Sequence, residues 1–173
     1  IAVLNSADFD EKQLEDKISS IAQVDKSMLM QSTDGIAENE SENQSVSMIV
    51  PKSPENMGDY IDLVSAENGS NLEVKSGSVI ITQKLAKLLD LKTGDTITIK
   101  LSGHEEKEFK IGGVSKNYAL HYIYITPDDF ESVYGEKPVY NLSFIDLKKD
   151  TDENSFKEQL ISNDEFYGIS FKN

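Results

Sequence analysis

Cysteine and arginine are both missing from this chain. Without Cys there is no disulfide framework, no thiolate metal site and no cysteine nucleophile. Without Arg, all 17 basic residues are Lys, set against 31 acidic residues for a formal net charge of -14. A phosphate backbone would be repelled, with neither bidentate Arg contacts nor a basic stripe to offset the repulsion, so nucleic acid is excluded as a partner. Anionic headgroups would repel most of the same surface. No apolar run approaches the roughly 18 residues that span a bilayer, and no signal peptide opens the chain. The stretch therefore reads as soluble, with any membrane segment expected before Ile1 or after Asn173. Also missing is a Gly-x-x-x-x-Gly-Lys-Ser/Thr loop, so no phosphate cradle for ATP is expected.

The chain's 173 residues suffice for one good core or two small lobes. Its 38% apolar residues fall in periodic runs rather than being scattered, which argues against disorder. Ile1 to Leu4 reads as a strand. Asp8 followed three residues later by Glu11 predicts a capping pair for a helix with Leu14, Ile18 and Ile21 on one face. Ser27 to Gln31 reads as the next strand. Thr33 to Ser45, polar and carrying Glu38, Glu40 and Glu42, reads as a hairpin tip or surface loop. Val46 to Val50 is then a strand stopped by Pro51, Pro54 to Asp59 a loop or short helical turn, and Tyr60 to Val64 another strand.

Val79 to Ile81 predicts a strand, and Thr82 the cap of a helix burying Leu85, Leu88 and Leu89. Gly94 supplies a turn, and Thr96 to Leu101 alternates with Ile97, Ile99 and Leu101 inward. Glu108 to Val114 pairs back as a hairpin, and Tyr118 to Ile125, apolar on both faces, reads as a central strand. Thr126-Pro127-Asp128-Asp129 starts a helix that Gly135 stops. Val139 to Leu147 is a strand, Asp152 to Ser162 a helix carrying Phe156, Leu160 and Ile161, and Phe166 to Phe171 a last strand. These elements predict an α+β fold. An α/β lobe is expected from residues 1–59 and 139–173, with a strand-rich lobe of two short helices inserted at 60–138.

The run from Gly77 through Leu85-Ala86-Lys87-Leu88-Leu89 and Leu91-Lys92-Thr93-Gly94-Asp95-Thr96 to Lys100 resembles the extracytoplasmic regions of MacB/FtsX-like ABC transporter permeases. The follow-on Phe109-Lys110-Ile111-Gly112-Gly113-Val114 and Tyr118 to Thr126 fits the same pattern, and the likeness covers roughly the middle half of the chain. The motif is structural rather than chemical, since a Gly-Asp turn between helix and strand also serves unrelated small barrels. The resemblance implies a MacB-like periplasmic core domain in which the lobe of residues 1–59 and 139–173 is porter-like and the inserted lobe Sabre-like. It also implies a cell-membrane permease with this domain on the extracellular side, partnered by its own transmembrane helices and a separate cytoplasmic ATPase. An extracellular peptide, lipoprotein or cell-wall partner, and a homodimer through the full-length permease, belong to the same implication. The Lys-only basic set with its Asn and Ile richness suits a low-GC Gram-positive source. The runner-up reading is a free-standing surface or secreted module that binds cationic peptides through its acidic face.

The residues offer little chemistry. His104 and His121 are the only histidines; His104 falls in a turn beside Glu105 and Glu106 and reads as solvated, and His121 reads as packed within a strand. No nucleophile elbow, paired-carboxylate arrangement or EF-hand loop is present, and Asp128, Asp129 and Glu131 are explained by a helix start. The expectation is therefore a non-enzyme with no catalytic, cofactor-binding or metal-binding residues. One interaction surface is singled out: Tyr118, Tyr122 and Tyr124, at or near the spacing of two that lines one face of a strand. Rings there can equally pack on their neighbours while their hydroxyls stay wet.

Overall fold

The computed structural model describes residues 1–4, 10–39, 42–116, 120–162 and 166–171. In chain order its first elements are β1 (Ala2–Leu4), α1 (Glu11–Ser19), β2 (Val24–Glu38), β3 (Asn43–Pro51) and a 3-10 turn (Pro54–Asp59). There follow β4 (Val79–Thr82), α2 (Gln83–Leu88), β5 (Thr96–Leu101), β6 (Glu106–Ser115) and β7 (Tyr122–Tyr124). The last are α3 (Pro127–Tyr134), β8 (Leu142–Leu147), α4 (Glu153–Ile161) and β9 (Phe166–Ile169). They form two compact units, one from residues 1–31 with 139–173, the other from 32–138.

In the first unit β1 pairs antiparallel with both β8 and β9, and β8 pairs antiparallel with β2. The strand order is therefore β2-β8-β1-β9, with β1 parallel to β2 across β8 and β8 parallel to β9 across β1. Each parallel pair is joined through one helix, which is the split βαβ arrangement. Leu14 and Ile18 of α1 and Phe156 and Leu160 of α4 share one core with Ala2, Leu4, Leu29 and Phe166. Asp10 caps α1 by accepting from the Gln13 amide at 2.8 Å, and Asp152 caps α4 by accepting from Ser155 at 2.7 Å. The expected cap Asp8 lies outside the described residues. Ile161, expected on the buried face of the last helix, is 42% exposed, because Phe156 and Leu160 already fill that face.

In the second unit the order is β3-β7-β4-β6-β5-β2, and β2 also pairs with β3, so six strands close into a ring. β3–β7 and β4–β6 run parallel; β4–β7, β5–β6 and β2–β5 run antiparallel. Side chains facing one way from every strand make the core, among them Ala37, Met48, Val79, Ile81, Ile97, Ile99, Phe109, Ile111 and Ile123. Leu85, Ala86 and Leu89 around α2, and Phe130 of α3, are part of the same cluster. Gly94 takes φ 95° in the turn before β5, a conformation that disfavours a Cβ. α3 starts on Thr126, whose hydroxyl accepts from the Asp129 amide at 3.2 Å, and ends on Gly135 with φ 74°.

Several segments differ from the sequence reading. Thr33 to Glu38 and Asn43 to Ser45 are strand, not loop, because their polar side chains lie on the outward face of the ring while Ala37 points into the core. Tyr60 to Val64 forms no strand; it makes one isolated bridge, Val64 to Asn71, while Leu63 is buried. β7 is short, with residues 117–119 outside the description, and β8 begins at Leu142 rather than Val139. In α2, Leu88 is 43% exposed and Ala86 takes the buried place expected of it. The compact units divide at 31/32 and at 138/139, so that residues 43–51 fall with the second unit. The reason is β3, whose Val46, Met48 and Val50 are built into the core of the second unit.

Candidate interaction groove

Of the three tyrosines singled out as an interaction surface, Tyr118 lies outside the described residues. Tyr124 is 1% exposed. Tyr122 stands half-buried with its ring edge-on to Tyr124 at 6.1 Å, and burial raises the affinity of its phenol for the proton. Spacing alone placed all three on one face. The ring of strands decides which of them stays at the surface.

Tyr122 opens onto a groove of ≈ 640 Å³ within the same unit. Consecutive neighbours in the sheet form it: Gly35 of β2 sits opposite Leu101 of β5, and Ser47 of β3 opposite Tyr122 of β7. Gly35 permits that closeness, since a Cβ there would meet the Lys100 carbonyl oxygen at 2.6 Å. Lys84 from α2, Lys100 from β5, and the aliphatic side chains of Ile36 and Leu120 complete the rim. Ile36 is 45% and Leu120 52% exposed.

Asp34 is the one carboxylate among the lining residues, and its Oδ1 accepts from the Ser47 hydroxyl at 2.9 Å. Neither Lys84 nor Lys100 is ion-paired with a described residue. His121 also lines the groove; its Nδ1 lies 3.0 Å from the Ser45 carbonyl oxygen and donates to it, which leaves Nε2 as the bare nitrogen of the neutral ring. Nε2 is covered and meets no hydrogen-bond partner among the described residues. The ring thus pins the start of β7 to β3 rather than offering an accessible base.

His104 is elsewhere, in the β5–β6 turn. Its Nδ1 is 3.1 Å from the Ser102 carbonyl oxygen, its Nε2 2.9 Å from a Glu136 carboxylate oxygen, and its ring packs edge-on to Tyr134 at 4.9 Å. The same surroundings bury the Tyr134 phenol and push its pKa up to about 12. Rather than sitting free in solvent, this histidine ties a turn to the end of α3. Asp129 likewise does more than start a helix: its carboxylate accepts from the Ser76 hydroxyl at 2.7 Å and the Gly77 amide at 2.8 Å, fastening the loop before β4. No group of three or more metal-ligating side chains comes together among the described residues. Lys84 and Lys100 were not foreseen as site residues because each reads, in sequence, as the solvated face of its element.

No protein-family model matches the chain, and no curated protein does. Solved structures do match. The extracellular domain of the noncanonic ABC-type transporter YknZ from Gram-positive bacteria superposes with a TM-score of 0.60 at 15% identity, covering 96% of this chain and 91% of that one. The periplasmic region of MacB from Actinobacillus actinomycetemcomitans gives 0.54 at 14% identity, covering 91% of this chain and 77% of that one. At such identities the likeness speaks to fold, and nearly every described element takes part in it. The chain has the mixed α/β fold found in the extracytoplasmic domains of ABC-type transporters such as YknZ and MacB.

Proposed function

We propose that this chain is a non-catalytic extracellular domain of an ABC-type permease, which couples the work of a separate cytoplasmic ATPase to substrate export or to an extracellular partner. The observation that carries the reading is the near end-to-end likeness to the YknZ domain, 96% of one chain against 91% of the other, which leaves little of either for a different architecture. On this reading the split βαβ unit is a porter-like lobe and the closed ring a Sabre-like insertion. The groove offers no nucleophile with its base and no metal cluster among described residues, so the reading asks it to bind rather than to react.

The test is the full reading frame and its placement. Apolar runs of about 20 residues are expected on both sides of this stretch. External protease on intact cells should remove the domain while a cytoplasmic tag stays protected. A reading frame without such runs, or a domain shielded from external protease but cut in lysed cells, overturns the proposal.

A further inference from the structure

We infer that the groove of the 32–138 unit receives an acidic peptide segment bearing aliphatic side chains. The groove inverts the charge balance of the chain. Overall 31 acidic residues outnumber 17 lysines, whereas the groove lining holds Lys84 and Lys100 against Asp34 alone. Asp34 is engaged by the Ser47 hydroxyl, while both ammonium groups are exposed and without an ion-pair partner among described residues. Beside them Ile36 and Leu120 expose about half their surface into the same concavity, and Tyr122 adds a ring with a wet edge. Isolated exposed aliphatics mean little, but here two converge with two unpaired cations on one depression.

The ligand class follows from what this combination tolerates. A cationic peptide, which the chain's net charge would attract from afar, meets two like charges on entering, and beyond about 8 Å the general attraction is screened at physiological salt. Nucleic acid carries enough phosphate to be repelled by the rest of the surface. A membrane or lipid would need a continuous apolar face, whereas Ile36 and Leu120 are separated by polar backbone and by Ser45 and Ser47. A peptide with carboxylates at the lysines and a Leu or Ile between them satisfies both sets of groups at once. The inference holds whether or not the chain is part of a permease, since the binding assay is blind to transport.

The experiment uses the whole 173-residue chain and a fluorescein-labelled peptide of alternating Glu and Leu, with fluorescence anisotropy as readout. A Lys-Leu peptide of equal length and phosphatidylglycerol vesicles serve as competing probes. Saturable binding of the Glu-Leu peptide is expected, weakened about two- to five-fold by Lys84→Glu or Lys100→Glu and further by the pair, and weakened also by Leu120→Ser. Lys12→Glu, in α1 of the other unit, carries the same charge change and should leave the affinity as it was. Circular dichroism of each variant establishes that it is folded. The inference is overturned if the Glu-Leu peptide does not bind, if the Lys-Leu peptide or the vesicles bind more tightly, or if Lys12→Glu weakens binding as much as the groove variants do.

Discussion

In the unit made from both chain ends, four strands form an open sheet covered by two helices, whereas the unit from 32 to 138 bends six strands into a ring. The open sheet ends on β9, an edge strand of four residues, and so limits its exposed edge by brevity. The ring removes the edge by pairing β2 with β3, which allows strands such as β6 to reach ten residues. Closure demands tighter approach, seen at Gly35, while the open unit leaves room at Gly168, where a Cβ would meet nothing within 4 Å. The groove of Lys84 and Lys100 lies in the ring, where Gly35 lets β2 come close to β5.

The largest test of the contrast is to empty one core at a time. Phe130 and Phe156 are each 1% exposed, one in the core of the ring and one under the helices of the split unit. Phe130→Ala and Phe156→Ala should each cost about 3–5 kcal/mol, with hydrogen exchange accelerating first among the amides of the unit that was emptied. Uniform acceleration across both units by either variant would break the division into two cores. Next in size is the glycine pair. Gly35→Ala forces a methyl onto the Lys100 carbonyl and should destabilise by about 1–3 kcal/mol in a denaturant titration, whereas Gly168→Ala should be near neutral.

Smaller effects separate the helix starts. Thr126 caps α3 through its hydroxyl, but Thr82 at the start of α2 makes no side-chain cap bond and its buried hydroxyl has no partner among the described residues. Thr126→Val should cost about 1 kcal/mol in melting experiments, and Thr82→Val should be neutral or stabilising. The smallest effect at neutral pH is that of Tyr134. Its folded pKa of about 12 stands above the ordinary value of 10.0, so between those limits the folded chain holds a proton that the unfolded chain has lost. Its contribution is intact below pH 10 and stability falls as pH rises through that window. Tyrosinate absorbance should show one late component near pH 12 that Tyr134→Phe abolishes.

Local chemistry made much of this legible in advance. Alternation in Ile97, Ile99 and Leu101 specified β5 and its inward face, and Thr126 with Pro127 and Gly135 bracketed α3. What failed were features set by partners distant in sequence. Thr33 to Glu38 looks like a loop because outward-facing strand residues of a ring can be as polar as loop residues, and only pairing with β5 reveals the strand. Tyr60 to Val64 has strand composition but among the described residues forms only one isolated bridge, Val64 to Asn71, with single backbone bonds to Leu72 and Lys116, and so stays irregular. The groove was invisible for the same reason: Asp34, Lys84, Lys100 and Leu120 meet only once the strands have closed, and Tyr122 was picked out by its spacing along a strand rather than by its neighbours in the groove.

The position of the ring within the chain has a kinetic meaning. β2 and β8 are hydrogen-bonded neighbours, with Met30 opposite Leu142 and the Val139 amide donating to the Gln31 side chain at 2.6 Å, yet residues 32–138 intervene. The four strands of the split unit come from both sides of that interval, so its sheet cannot be completed during synthesis until its last third has emerged. Closing so long a span while it is disordered is slow, and a collapsed ring brings residues 31 and 139 within reach and shortens the search. Refolding is accordingly expected to be paced by the insertion, with the outer sheet zipping shut behind it.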